Sequence, residues 1–287
     1  MKKIILTLAV TMLLMGCKQK NLAETASELQ TEQQKAVERI VSLNGTLTEI
    51  IAALGYQKQL VGVDVTSTYP TNIGETTENL DHVFKLSVEK LINLKPTKVF
   101  ALEKEVRPEL LQQLNQAGIQ VLTFNQTYSQ NGTKQLIDAV ANALQAEQAS
   151  AIKKTLDVEL AQIEPITNAP KVLFIYARTN QMMVGGTGTP IEAVVELAGG
   201  KNAITEFVDY KPLTPEALAQ ANPDFIVMFD KGLEAVGGID GLLKVDGIAQ
   251  TNAGKNKNII ALDGLLLSGF GPRLGQAVQE LNHAFKK

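Results

Sequence analysis

The succession of apolar runs and helical stripes predicts an α/β protein of two lobes, each with a central, mostly parallel sheet flanked by helices, joined by one long α-helix. Three observations carry this reading. Residues 39–124 alternate short apolar runs with amphipathic stripes, residues 171–262 repeat that order, and a stripe free of Gly and Pro separates the two. Parallel strands buried on both faces read as near-continuous apolar runs, which is the pattern seen here.

The amino terminus stands apart. Met1-Lys2-Lys3 is a short basic segment, and residues 4–15 form an apolar run too short to span a bilayer comfortably. The run ends in Leu14-Met15-Gly16-Cys17, which contains the one cysteine of the chain and resembles a bacterial lipobox. That resemblance implies a signal peptide over 1–16 and a lipid on Cys17, tethering the protein to a membrane that it does not span. Residues 17–38, rich in Gln, Glu and Ala, read as a polar tether. The net charge of −3 leaves no basic face for nucleic acid.

The folded part begins with Arg39-Ile40-Val41-Ser42-Leu43, read as a buried strand. Asn44-Gly45-Thr46 turns the chain, and Thr46 is placed to cap a helix carrying Leu47, Ile50, Ile51 and Leu54, which Gly55 ends. Strands at 60–64, 98–102 and 120–124, with helices at 87–94 and 107–117, complete a first lobe over 39–130. Apolar residues then recur at Leu136, Val140, Leu144, Ala149, Ile152, Leu156, Leu160 and Ile163, with one long step before Ala149. At ~1.5 Å per residue this predicts a rigid helical strut over 131–165, more than ~40 Å long. The second lobe, 166–287, has strands at 171–176, 225–229 and 258–262, a glycine turn at 185–189, and a helix broken by Asn222-Pro223.

Ligands of open parallel sheets bind beyond the strand carboxyl ends. Here those loops are 44–46, 64–70, 79–86, 177–189, 230–238 and 264–273. An enzyme is not expected. No G-x-S-x-G elbow is present, and Gly185-Gly186-Thr187-Gly188-Thr189 lacks both the Lys-Ser/Thr ending of a P-loop and dinucleotide spacing. His82 is one of two histidines, and it reads either as a plain surface or N-cap residue or as a ligand for a metal. One loop histidine is too few for a bare metal ion, so no other metal is expected, but it suffices for haem iron, whose porphyrin supplies four of the bonds. Met182-Met183 falls in a loop of the other lobe, and Tyr69 is placed to stack on a flat ligand. His283 is given no role.

The runs from Arg39 to Gly55 and from Leu60 to Pro70 resemble the first lobe of haem-carrying substrate-binding proteins of bacterial ABC importers. Lys211-Pro212-Leu213-Thr214-Pro215, Gly237-Gly238-Ile239-Asp240-Gly241 and Leu266-Leu267-Ser268-Gly269-Phe270-Gly271-Pro272-Arg273 are similar to their second lobe, so that the likeness covers about residues 39–285. It implies the class III architecture, a monomer with haem held between the lobes, and delivery to a permease and ATPase of the inner membrane. Counting back from Lys95-Pro96 places His82 at the family's first-lobe axial ligand position, with Asp81 where Gly is usual and Phe84 where an Arg often supports a tyrosinate. The resemblance further implies a second axial ligand from the loop holding Met183 (or Met182), and permease-docking carboxylates at Glu49 and Glu192. Propionate donors are expected among Lys85, Arg178, Lys231 and Arg273, and the free ring nitrogen of His82 is expected to bond to Asp81 or a carbonyl. Alternatives in the same architecture are a corrinoid or ferric-siderophore carrier; a haem-handling enzyme or sensor is more remote. Cys17→Ala is expected to move the protein from the membrane to the soluble fraction with its fold unchanged, as checked by fractionation and circular dichroism.

Overall fold

The structure, a computed structural model, describes residues 38–178 and 181–286. The signal peptide, Cys17 and the tether up to residue 37 lie outside the described residues, as does the side chain of Arg178.

In the first lobe β1 (Ile40–Ser42), β2 (Leu60–Val63), β3 (Glu78–Asn79), β4 (Lys98–Leu102) and β5 (Val121–Phe124) form a sheet of order β3-β2-β1-β4-β5. Every neighbouring pair in it is parallel. Alternate residues of a strand point to opposite faces, so Ile40, Phe100 and Leu102 enter one core while Val41, Val99 and Ala101 enter another. The first core is closed by helix α1 (Gly45–Ile51), through Leu47, Ile50 and Ile51. Its N-cap is Asn44 rather than the expected Thr46: the Asn44 side chain accepts from the N–H groups of Thr46 and Leu47. Helices α2 (Ile73–Thr76), α3 (Val88–Asn93) and α4 (Pro108–Gln116) follow β2, β3 and β4 respectively, and Leu91, Leu110 and Leu114 close the second core.

The expected single strut over 131–165 is corrected. Helix α5 (Gln130–Leu144) stops at Gln145, which is left-handed (φ 56°, ψ 38°), and α6 (Ala149–Leu160) runs back antiparallel to it. Two matched ion pairs fix the direction: Lys134 with Asp157, and Lys153 Nζ with Asp138 Oδ1 at 2.6 Å. The long step before Ala149 is where the stripe changes allegiance. Leu136, Val140 and Leu144 belong to the first lobe's core, whereas Leu156 is buried in the second lobe's. One straight helix cannot present a single face to two such cores, and the polar run Gln145 to Gln148 accommodates the turn.

In the second lobe β6 (Lys171–Arg178), β7 (Gln181–Gly185), β8 (Lys201–Asn202), β9 (Tyr210–Pro212), β10 (Phe225–Phe229) and β11 (Ile259–Leu262) give the order β11-β10-β6-β7-β9, with β8 beside β6. The β11, β10 and β6 ladders are parallel, but β7 pairs antiparallel with both β6 and β9. Within the stretch expected as a loop over 177–189, residues 177–178 end β6 and 181–185 form β7. Helices α7 (Pro190–Leu197) and α13 (Leu274–Phe285) cover one face of this sheet. On the other face lie α8 (Pro215–Ala221), α10 (Gly238–Leu242) and α11 (Asn252–Asn256). The short helices α9 (Asp230–Ala235) and α12 (Gly264–Ser268) follow β10 and β11 directly.

A left-handed non-glycine residue costs about 1 kcal/mol and glycine is favoured after a helix end. Gln145→Gly is accordingly expected to raise thermal stability by about that amount, and Gln145→Val to lower it, in calorimetry.

Candidate ligand cleft

The two sheets meet at their strand carboxyl ends around a cleft of about 720 Å³, within the range of small-molecule sites. The first lobe supplies Asn44, Thr66, Glu105, Gln126 and Tyr128; the second supplies Tyr176, Phe229, Asp230, Lys231 and Asp263. The floor on the first lobe is polar and tied together. Asn44, while capping α1, donates from Nδ2 to Glu105 Oε2 at 3.1 Å. Asp64 Oδ1 accepts from the hydroxyls of Thr66 and Ser67, each at 2.9 Å. Burial pushes the Asp64 carboxyl up, against the lowering effect of these bonds and of the nearby His82. Desolvation also raises Glu105, which the charge of Asp64 raises further.

A seam closes the cleft at its base. Gly269 of the second lobe offers its carbonyl to Thr46 Oγ1 and to Gln126 Nε2, both at 2.7 Å. Glu49 is 3% exposed, and its Oε2 accepts from Arg273 Nη2 at 2.9 Å while Oε1 accepts from the Arg273 N–H at 3.2 Å. The guanidinium also lies 3.7 Å from the ring centre of Tyr69. Gly45 is required here, because a Cβ would come within 2.3 Å of the Thr66 carbonyl oxygen.

The seam contacts correct the expectations for Glu49 and Arg273. Glu49 is buried in an interlobe ion pair and has no carboxylate to offer a permease. Glu192 caps α7: its Oε2 accepts from the Gly188 N–H at 2.7 Å, and its own N–H donates to Thr189 Oγ1 at 3.1 Å. Arg273 is committed to Glu49 and Tyr69. Lys231 alone of the expected residues lines the inner cavity among the described side chains, and it pairs with Glu234 at 3.3 Å. Lys85 Nζ stands 5.9 Å from the centre of the Phe84 ring.

His82 stands at the first-lobe rim, tied to the cleft loops by the Val65 N–H to Asp81 carbonyl bond of 3.0 Å. It occupies the N-cap position of the 3-10 turn Val83–Lys85 without making a side-chain cap bond. The expected bond to Asp81 is absent too; the His82 ring stacks on Phe84 instead, centroids 4.9 Å apart and planes 14° apart. Met182 packs into the second-lobe core. Met183 pairs with Tyr176 across β6 and β7, and cross-strand partners share a face, so it stands beside a residue of the cleft wall.

Residues 103–106 and 125–128, beyond β4 and β5, were absent from the loops expected from sequence, so Glu105, Gln126 and Tyr128 were missed. The rule that selected the other loops applies equally to these two strand ends. Among the described residues no group of three or more His, Cys, Asp or Glu could hold a bare metal ion, and no helix is long and apolar enough to cross a membrane.

Residues 40–265 match the periplasmic binding protein family. The chain belongs to that family. A similar relative is an uncharacterised ABC transporter substrate-binding lipoprotein, YvrC, of Bacillus subtilis (strain 168), 31% identical over 90% of this chain and 83% of that one. A cobalamin-binding protein of Halobacterium salinarum (strain ATCC 29341 / DSM 671 / R1) is 24% identical over 92% of this chain and 72% of its own. Among solved structures, the periplasmic heme-binding protein RhuT from Roseiflexus sp. RS-1 in apo form is 42% identical, with a TM-score of 0.82 over 86% of this chain and 97% of that one. Periplasmic binding proteins are substrate-binding transport proteins.

The seam is expected to govern stability. Arg273→Met leaves a buried carboxylate unpaired and is expected to cost roughly 3–5 kcal/mol in denaturant unfolding at neutral pH. Burial holds Glu49 above its ordinary value against the lowering effect of Arg273. The native state therefore binds more protons than the unfolded chain just above pH 4.5, and this group's contribution falls as pH rises through that window. The stability of the wild type relative to Glu49→Gln is expected to grow on acidification from neutral pH towards the ordinary glutamate value.

Proposed function

We propose that this protein is a lipid-anchored haem-binding protein that captures haem in the interlobe cleft and delivers it to an inner-membrane ABC importer. The observation that carries the reading is a cleft with aromatic walls from both lobes and one histidine at its rim, in a chain 42% identical to a heme-binding protein of the same fold. His82 is the axial ligand from the first lobe. Met183, beside Tyr176, is the ligand from the second, and a thioether opposite an imidazole favours low-spin iron. Glu105, Asp230 and Asp263 line the interior, so the two propionates face outward, towards Lys85. Cys17 carries the lipid, and the similarity to a lipoprotein of an ABC transporter supports both the anchor and a permease partner.

A corrinoid is the second reading, favoured by the cobalamin-binding relative. Hemin and cyanocobalamin titrations of the mature protein separate the two, and a Soret band with no cyanocobalamin binding is the expected result. His82→Ala is expected to lower hemin affinity on the order of 100-fold. Met183→Ala is expected to convert a low-spin to a high-spin spectrum with a smaller loss, and Met182→Ala to leave the spectrum unchanged. Full retention of affinity and spectrum in His82→Ala would falsify the assignment of the ligand.

A further inference from the structure

We propose that Phe84 is a positioning residue that sets the plane of the His82 imidazole for coordination, in place of a hydrogen bond to its second ring nitrogen; this rests on the reading of His82 as the haem ligand.

A ligating histidine ordinarily donates its other ring N–H to a carboxylate or carbonyl, which fixes the ring and raises its basicity. The His82 ring makes no hydrogen bond among the described residues. Asp81, the neighbouring carboxylate, is left-handed (φ 60°), and its N–H goes to Asn79 Oδ1 at 2.8 Å. Asp64, buried beneath the cleft floor, is occupied by Thr66 and Ser67. What orders the ring is Phe84, two residues on. The bond from the Lys85 N–H to the His82 carbonyl, 2.8 Å, closes the turn that brings the two rings together. Leu86, buried at the end of that turn, anchors it in the first-lobe core.

The near-parallel stack leaves both ring nitrogens free. A metal bound to imidazole lies in the ring plane, so a macrocycle on that metal stands roughly perpendicular to the ring. Phe84, nearly parallel to His82, is then perpendicular to the macrocycle as well and fixes the rotation of the imidazole about the iron–nitrogen axis. This also accounts for a phenylalanine left 51% exposed at the cleft rim: its free edge is covered when the ligand arrives. An imidazole with no acceptor on its second nitrogen is a weaker donor than a hydrogen-bonded one, which suits cargo that has to be released.

The test compares the full mature wild type with Phe84→Leu, Phe84→Trp and His82→Ala by hemin titration and by EPR of the ferric complexes in frozen solution, with melting curves to confirm folding. Phe84→Leu keeps an apolar side chain and loses the stack. It is expected to weaken hemin about 3- to 10-fold and to spread the g-values, as the imidazole samples several rotations. Phe84→Trp is expected to restore both. Wild-type affinity and g-values in Phe84→Leu, with hemin lost in His82→Ala, would overturn the role of Phe84 and leave the ligand assignment standing. Loss in Phe84→Leu that Phe84→Trp fails to restore would also overturn it, since the stack would then not be the cause. Unchanged binding in His82→Ala would overturn both.

Discussion

The ion pair between Glu49 and Arg273 joins two lobes that are otherwise separately complete. Each sheet has a buried core on both faces, so neither lobe needs the other to bury its strands. The spacing and tilt of the cleft walls depend on the connecting hairpin, packed against both cores, and on a few polar contacts at the base. Gly269 brings its carbonyl to Thr46 and Gln126, and Arg273 reaches Glu49 and Tyr69. A buried charge pair is weak evidence for net stability but strong evidence for a defined geometry, because shifting either partner exposes an uncompensated charge. Tyr69 extends this constraint to the loop after β2, whose Val65 is bonded to Asp81 beside His82. The base of the cleft and its rim are thus physically continuous.

The cleft wall mixes two chemistries: the carboxylates and amides of Asn44, Glu105, Gln126, Asp230 and Asp263, with Lys231 among them, and the rings of Tyr128, Tyr176 and Phe229. Carboxylates raised by desolvation, as Asp64 and Glu105 are, mark a floor partly withdrawn from water.

The helical hairpin of α5 and α6 shows how one apolar stripe can serve two cores. Ile152 packs against the first lobe and Leu156 is buried in the second, one turn further along α6. The connection between lobes is therefore packed against both of them, and the pairs Lys134 with Asp157 and Lys153 with Asp138 hold its two arms together. Such a connection resists large hinge motion because any opening has to disturb contacts made to both cores.

Much of this was legible in the sequence, and the reason is local. Strand and helix periodicity report which side of a segment is apolar, so β1, β2, β4 and β5 with α1, α3 and α4, and the second lobe's parallel ladder, could be read from residues 39–124 and 171–262, whereas the two-residue β3 and the short α2 carry too little pattern to be seen. The rarity of histidine and its place before Lys95-Pro96 singled out His82. Charged side chains carry no such signal. Glu49 and Arg273 are 224 residues apart, and nothing in the pattern of either helix shows that one is buried by the other; an acidic residue on an early helix turn reads as exposed until its partner is known. Glu192 could have been read from Thr189, three residues earlier, as a capping box. The reversal at Gln145 appeared only as one long step in a helical stripe, because a periodic pattern records spacing along the chain and not the direction in which the next turn points. Local patterning determined the elements and the candidate ligand; long-range pairing of charges, and the competition of two cores for one stripe, determined the cleft in which that ligand stands.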